Sequence, residues 1–158
     1  MLSFTKILCP TDFSEPSLCA LKAANEMAHH FDSELILLNI RKPIPEMPRP
    51  RVKAPETTFD FSGYESELDQ HALEALATIR RSVVAPQVNT RLLVKAGKPA
   101  EEILRCAHDE RVDAIFMATH GRTGLQHVVF GSVAEKVVRQ AECPVMTFNV
   151  CDNPRRYG

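Results

Sequence analysis

Short runs of consecutive aliphatic residues alternate along the chain with longer stretches in which apolar residues recur every three or four positions. A short aliphatic run is typical of a strand buried on both faces, and the longer spacing is typical of an amphipathic helix. The runs predict five strands, from Phe4 to Cys9, Glu34 to Ile40, Thr90 to Lys95, Ala114 to Ala118 and Val145 to Val150. The longer spacing predicts four helices, from about Ser14 to Phe31, from Tyr64 to Val84, after Gly97-Lys98-Pro99, and from Gly131-Ser132 to Cys143-Pro144. Strands and helices that alternate in this way predict right-handed crossovers and a doubly wound parallel sheet.

Residues 41–63 interrupt this pattern. Five prolines lie there among basic residues, at Pro43, Pro45, Pro48, Pro50 and Pro55. Proline at this density prevents a helix or a central strand, so the segment is predicted to be a long basic loop inserted after the second strand. In a parallel sheet that position is the carboxyl edge, where ligands bind, so the loop is either a lid or a plain insertion.

A polar, glycine-containing segment follows the fourth strand and ends at a helix start. Gly121 and Gly124 lie in the segment, and Gly131-Ser132 opens the last helix. Glycine lets backbone N–H groups approach a ligand closely, and a helix N-terminus offers unpaired N–H groups and a positive dipole end. Together these features predict a phosphate site. If the first and fourth strands are neighbours, Pro10-Thr11-Asp12 meets this segment at the point where the winding reverses.

The bulk composition narrows the function further. The 158 residues suit one domain, predicted over residues 1–150 with a polar tail at 151–158. A net charge of −1 gives no electrostatic reason to expect nucleic-acid binding. Neither a membrane span of about 20 apolar residues nor a signal peptide is evident, so no membrane association and a cytoplasmic location are predicted. The five cysteines are scattered without a C-x-x-C pair, which predicts reduced thiols and no metal site.

Four sequence pieces, in this order, resemble the universal stress protein family over nearly the whole chain. They are Ile7-Leu8-Cys9-Pro10-Thr11-Asp12-Phe13-Ser14, then Gly97-Lys98-Pro99-Ala100-Glu101-Glu102-Ile103, then Thr119-His120-Gly121-Arg122 with Gly131-Ser132-Val133-Ala134-Glu135, and Cys143-Pro144-Val145. The ATP-binding branch of that family has a loop of Gly, two residues, Gly, nine residues, Gly and Ser or Thr. Gly121, Gly131 and Ser132 match this loop, whereas Ala118 occupies the position of its first glycine. The resemblance therefore implies a nucleotide site with one added methyl group.

The resemblance also implies a role for each matching residue. Asp12 would lie near the ribose or a phosphate-bound metal, Pro10 and Thr11 would line the base and sugar, and Ile40 would contact adenine. Gly121, Arg122, Gly131, Ser132 and Val133 would hold the phosphates. Ala118 and Gly124 belong to the same predicted loop, and His120 is interpreted as a polar lining group. The family commonly dimerises through its last strand, here Val145 to Val150, and an exposed edge strand needs such cover.

Several of these residues also have a purely structural interpretation. Ser132 and Glu135 form a Ser-x-x-Glu pattern that predicts a capping box without any ligand, and Asp12 could simply cap the first helix. The Gly121 to Gly124 segment matches the GXXG loop of RNA-binding KH domains, but neither the strand–helix order nor the charge fits that module. No Walker A motif is present.

The predicted fold is an open α/β sandwich with a five-stranded parallel sheet in the order 3-2-1-4-5. The predicted function is an adenine-nucleotide-binding stress-response protein that is not primarily an enzyme. It would act as a homodimeric sensor or regulatory module with an unknown protein partner, and its ligand would be ATP, ADP or AMP, with or without Mg. The alternatives are a nucleotide-free dimeric interaction module and a slow ATP hydrolase, for which the sequence supplies no clear general base.

Overall fold

The computed structural model describes residues 4–44, 61–120 and 130–149 of the chain. The five strands are β1 (Lys6–Pro10), β2 (Glu34–Arg41), β3 (Thr90–Ala96), β4 (Ala114–Ala118) and β5 (Val145–Phe148). The four helices are α1 (Glu15–Phe31), α2 (Phe61–Val83), α3 (Pro99–Glu110) and α4 (Ser132–Gln140). The strands form one parallel sheet in the order β3-β2-β1-β4-β5, which confirms the predicted fold and strand order.

Alternate residues of the central strands feed two separate hydrophobic clusters, one on each face of the sheet. Ile7 and Cys9 of β1 join the cluster under α1 and α2, whereas Leu8 joins the cluster under α3 and α4. In β2 the four residues 35–38 are all fully buried, as the unbroken aliphatic run predicts. The helices therefore cover both faces and leave the two ends of the strands as the places where a ligand can enter.

Both ends of the predicted loop 41–63 change. Arg41 is the last residue of β2, and α2 begins at Phe61, so both ends of the predicted loop 41–63 belong to regular structure. Arg41 is held there because its side chain is only 13% exposed and forms ion pairs with Glu65 and Asp69 of α2. The centre of the predicted loop lies outside the described residues, as do Val150 and the tail at 151–158.

The cysteines differ from the prediction at one position. Cys9, Cys106 and Cys143 carry free thiols, but Cys19 is disulfide-bonded, so the expectation that all five thiols are reduced is wrong for Cys19 in this structure. The sequence could not reveal this, because disulfide formation requires a particular distance between two Cβ atoms that spacing along the chain does not determine. No group of three metal-ligating side chains occurs among the described residues.

Candidate functional site

The candidate site lies at the carboxyl edge of the sheet, where β1 and β4 are neighbours. Ile7 of β1 is in register with Ala114 of β4, and both strands point the same way. The chain leaves β1 toward β2 on one side and reaches β4 on the other, so this is the point where the winding reverses. Open α/β sheets bind ligands outside the strand ends at such a point. The conditional prediction that the first and fourth strands are neighbours is thus confirmed.

The segment between β1 and α1 forms one wall of the site. Pro10 ends β1 and is buried, Thr11 is 5% exposed, and Asp12 is half-buried. One carboxylate oxygen of Asp12 accepts hydrogen bonds from the backbone N–H and the hydroxyl of Ser14, the first of these at 3.1 Å. Asp12 therefore orders the turn ahead of α1, whereas the N-cap of that helix is Ser14.

Phe13 has a backbone conformation that phenylalanine rarely adopts. Its φ of 65° lies in the left-handed region, which is uncommon for a bulky residue without local support. The support comes from Thr11, whose Oγ1 accepts a hydrogen bond from the Phe13 N–H at 3.1 Å and lies 2.9 Å from Ser17 Oγ. Backbone strain of this kind concentrates at ligand-binding turns, and here it follows directly on Asp12.

The end of β2 forms the next part of the wall. Ile40 is partly buried and packs against the cluster under α3 and α4. Asn39, next to it, is 7% exposed, and its side-chain amide donates a 2.8 Å hydrogen bond to the carbonyl oxygen of Thr11. Beyond them, the hydrogen bond with Asp69 raises the pKa of Arg41, so this guanidinium is committed to α2. The two neighbouring ends, of β1 and of β2, are thus tied together by a buried polar contact.

The end of β4 and the start of α4 form the opposite wall. Ala118 is the last residue of β4, and Thr119 and His120 follow it. Thr119 is 6% exposed, and its Oγ1 lies 2.9 Å from Nδ1 of His120. The N–H of Gly131 donates a 2.8 Å hydrogen bond to the carbonyl oxygen of Thr119. The helix start is therefore anchored directly on the end of the strand.

Gly131, not Ser132, is the N-cap of α4, so the predicted capping box of Ser132 and Glu135 is wrong. Ser132 is the first helical residue and is exposed, and the N-cap residue, Gly131, supplies no side-chain cap. Because the first N–H groups of a helix have no acceptor within it, this end of α4, including half-buried Val133, is chemically suited to an anion. Gly121, Arg122 and Gly124, the other predicted phosphate contacts, lie outside the described residues.

The Cys9 thiol, in the strand that leads to this edge, plays no evident part in ligand chemistry. Cys9 precedes Pro10 in β1 and is fully buried, as the sequence predicts. Burial raises the pKa of the Cys9 thiol to about 12, so the thiolate that nucleophilic chemistry requires is not formed near neutral pH. The chemical means of the described wall are therefore hydrogen bonds and a helix dipole, which suit binding.

The family model described as "Universal stress protein family" matches residues 3–149. The chain belongs to the universal stress protein family. Universal stress protein MJ0531 of Methanocaldococcus jannaschii is 33% identical over 143 residues, which are 90% of this chain and 81% of that protein. The solved structure of universal stress protein MJ0577 from the same organism superposes with a TM-score of 0.75 at 30% identity, over 96% of this chain and 99% of that chain.

A universal stress protein of Archaeoglobus fulgidus, solved in complex with dAMP, has the same fold. Its TM-score is 0.61 at 18% identity, over 94% of this chain and all of that chain. The resemblance inferred from the four sequence pieces is thereby confirmed at the level of family and fold. Among the described residues no helix is long and apolar enough to cross a membrane.

Sequence reasoning overlooked two parts of this universal stress protein site. Asn39 is not among the predicted site residues, although an amide within the run Leu-Leu-Asn-Ile is a signal, because a polar residue in a buried strand needs a partner. Thr119 belongs to one of the matching sequence pieces, but the pattern assigns it no role; in the structure it accepts the N–H of Gly131 and donates its own N–H to the carbonyl oxygen of Phe148 at 2.8 Å. Nothing in the local sequence could have identified that second contact.

Proposed function

We propose that this universal stress protein binds an adenine nucleotide at the carboxyl edge between β1 and β4. Binding would regulate its interaction with a protein partner in the cytoplasm. The observation that carries the proposal is the meeting of two walls at the winding reversal. On one side lies the ordered Thr11–Asp12 turn, and on the other lies the start of α4 at Gly131–Ser132, which is held on Thr119.

Each described residue has a role that suits its position. The N–H groups at Ser132 and Val133 would bind phosphate together with the dipole of α4, and the exposed Ser132 hydroxyl can add a hydrogen bond. Asp12 would contact the ribose hydroxyls, or a magnesium ion when the ligand is ATP or ADP. Ile40 would contact the adenine ring with its partly buried side chain. Gly121, Arg122 and Gly124 would complete the phosphate contacts.

Two considerations favour an adenine nucleotide over other anions. The site combines a helix start that is suited to an anion with apolar surface at the end of β2, and an adenine nucleotide carries both a phosphate and an aromatic ring. A universal stress protein with this fold has been solved with dAMP, which supports an adenosine phosphate as the ligand class. The sequence predicts ATP, ADP or AMP as the ligand, and the number of phosphates is decided by comparing the affinities of the three nucleotides.

A nucleotide-free dimeric interaction module is the second candidate function, and Ala118 favours it. Ala118, the last residue of β4, occupies the sequence position where the ATP-binding pattern has glycine, and its methyl group would reduce the room for a ligand there. Within the described residues β5 pairs only with β4, so its other edge is available for a second copy of the chain. Both candidate functions predict homodimerisation through β5, whereas only the second predicts that the protein does not bind nucleotide.

Calorimetric titration of nucleotide-stripped protein with Mg-ATP, ADP and AMP tests the proposal. Micromolar binding is expected for the wild-type protein. Gly131→Val should weaken it at least about tenfold, because the valine side chain would displace the Thr119 carbonyl and with it the start of α4. Val138→Ala, on the exposed face of the same helix, is the matched control and should bind like the wild type.

Absence of heat and of any thermal shift at millimolar nucleotide would contradict the proposal and favour the second candidate. Equal binding by Gly131→Val and the wild type would contradict the assigned site and would mean that the nucleotide binds elsewhere on the protein. Sedimentation with and without ligand, run on the same samples, would report whether nucleotide changes the association of the chain.

A further inference from the structure

The amide side chain of Asn39 is the only one in the described sheet that reaches from the interior of one strand to the loop that follows its neighbour. Asn39 is 7% exposed and lies between Leu38, which is fully buried, and Ile40. Its Nδ2 donates a 2.8 Å hydrogen bond to the Thr11 carbonyl, 28 residues away in the chain. An amide placed in an aliphatic strand costs free energy unless it is paired, so this contact specifies the position of Thr11.

Thr11 is held at three points, and each acts on a different atom. Its N–H donates to the carbonyl oxygen of Leu38 at 2.8 Å, its carbonyl oxygen accepts from Asn39, and its Oγ1 accepts from the N–H of Phe13. The same Oγ1 lies 2.9 Å from Ser17 Oγ, which itself donates to the Ser14 carbonyl at 2.8 Å. Thr11 is therefore the fixed point from which the turn toward α1 departs.

The turn that departs from Thr11 needs this support. Phe13 is held at φ 65°, and Asp12, between the two, accepts the Ser14 N–H. A bulky residue in the left-handed region persists only where the surroundings determine it, because the conformation costs of the order of RT or more. If the Thr11 carbonyl were released, the peptide unit joining it to Asp12 would lose one of its restraints, and the turn that carries the Asp12 carboxylate would be held less firmly.

We infer that Asn39 is a positioning residue for the nucleotide site, and this inference rests on the proposed function. Asn39 binds the Thr11 carbonyl on one side and is adjacent to Ile40 on the other. It thereby sets the distance between the loop assigned to the ribose and phosphates and the strand end assigned to adenine. Asn39 does not itself touch the ligand. Its contribution is to hold the two halves of the nucleoside site in one geometry before binding.

The chain offers a matched control for this role. Asn25 of α1 also makes one long-range hydrogen bond with the backbone, accepting the N–H of Ala85 at 2.8 Å, and it is half-buried where Asn39 is buried. It lies ten residues into α1, about 15 Å along the helix from its first residue. Asn39→Leu and Asn25→Leu therefore both remove one side-chain to backbone hydrogen bond, but only the first removes it at the site.

Two measurements test the inference, one with nucleotide and one without. In calorimetric titration with AMP and Mg-ATP, Asn39→Leu should bind about tenfold more weakly than the wild type, which corresponds to roughly 1.4 kcal/mol. Asn25→Leu should bind like the wild type, even if both variants are equally less stable. In hydrogen exchange of the ligand-free protein, the amides of Phe13 and Ser14 should exchange faster in Asn39→Leu and at the wild-type rate in Asn25→Leu.

Asn39→Asp supplies a readout that a merely structural role would not give. A protonated carboxyl group can donate to the Thr11 carbonyl as the amide does, whereas a carboxylate repels it. The affinity of Asn39→Asp relative to wild type should therefore recover as pH falls from 8 to 5. Asp12 and the nucleotide phosphates titrate as well, so the comparison is the ratio of the two proteins at each pH. This variant also serves if Asn39→Leu fails to fold.

The outcomes separate this inference from the proposed function. Wild-type affinity in Asn39→Leu, or unchanged exchange at Phe13 and Ser14, overturns the positioning role while nucleotide binding stands. If the wild type itself binds no adenine nucleotide, the proposed function fails, and the exchange data alone decide whether Asn39 orders the turn. Equal weakening by Asn39→Leu and Asn25→Leu would show a general loss of stability and would also overturn the inference.

Discussion

The N–H of Gly131 donates a 2.8 Å hydrogen bond to the carbonyl oxygen of Thr119, so the first turn of α4 rests on the end of β4. A Cβ atom at position 131 would lie 3.0 Å from that same oxygen. The backbone of Gly131 itself is unstrained, with φ −71° and ψ 152°. Glycine is therefore favoured here by close approach, because a methyl group would push against the oxygen on which the helix start rests.

Gly131→Ala should lower the free energy of unfolding by about 1–2 kcal/mol, because a backbone oxygen must move to admit the methyl group. Urea unfolding at pH 7 measures this. Ser132→Ala, one residue later and exposed, should stay within about 0.5 kcal/mol of the wild type. Equal stability of Gly131→Ala and wild type would mean that the start of α4 shifts freely, and the anchoring on Thr119 would then be wrong.

Gly97 and Glu102 form a second close approach, at the turn into α3. A Cβ atom at Gly97 would lie 2.7 Å from Oε1 and 2.8 Å from Cγ of Glu102, which is 8% exposed and paired with Arg105. Gly97→Ala should therefore destabilise the protein by roughly 1–3 kcal/mol. The cost should be smaller in the background of Glu102→Ala, where the clash is gone.

A double-mutant cycle by urea unfolding measures that difference. Recovery should be partial, because φ of +156° at Gly97 is rarely adopted by residues with a side chain. Strict additivity of the two substitutions would contradict the proposed steric contact.

The strand positions were predictable because a strand that is buried on both faces is a run of consecutive aliphatic residues. Residues 35–38 are an unbroken aliphatic run and are fully buried, and β4 occupies the predicted residues Ala114–Ala118. The alternation of such runs with helical spacing also determines the layers, since parallel strands need long crossovers. Fold class therefore follows from short-range patterns alone.

The contacts that shape the site were not predictable in the same way. Asn39 meets Thr11 across 28 residues, and Thr119 meets Phe148 across 29, so neither pair is visible in a local window. The Ser132–Glu135 pattern suggested a capping box, but tertiary contact with Thr119 placed the cap one residue earlier, at Gly131. The local sequence predicts where a helix begins to within a residue or so, and the tertiary contacts determine which residue is its N-cap.

Thiol reactivity should differ sharply between two free cysteines. Cys9 is fully buried and burial raises its pKa to about 12, whereas Cys143 is only half-buried, so a reagent in solvent can reach its thiol without unfolding even though burial also raises its pKa. Iodoacetamide at pH 8, followed by peptide mass analysis, should label Cys143 first. Cys9 should be labelled only at the rate of unfolding, and Cys19 only after reduction. Fast labelling of Cys9 in folded protein would contradict its assignment to the core.

Acid should weaken the ion-pair cluster at the amino edge of the sheet. Arg91 bridges Glu34 of β2, at 3.0 Å, and Glu110 of α3, at 2.5 Å. The hydrogen bond from Arg91 lowers the pKa of Glu110 below its usual range. A carboxyl group whose folded pKa is depressed contributes stability above its unfolded pKa of about 4.3, and that stability is lost as pH falls through the lower folded value.

Glu110→Gln should therefore flatten the fall in unfolding free energy between about pH 5 and pH 3, where the unfolded carboxyl of Glu110 takes up its proton before the folded one. Because the side chains of Arg91 and Glu110 are 38% and 25% exposed, solvent screening limits the effect to about 1 kcal/mol or less. Urea unfolding at each pH measures it, and added salt should reduce the difference between the two proteins.

Arg91→Gln should flatten the profile in the same way, because it removes the partner that depresses the Glu110 pKa. An unchanged acid profile in both variants would mean that the pair contributes nothing to stability. The acid sensitivity would then arise at another carboxylate. Asp113 is the first candidate, because its Oδ2 accepts the N–H groups of Thr5 and Lys6 at 2.7 and 2.9 Å.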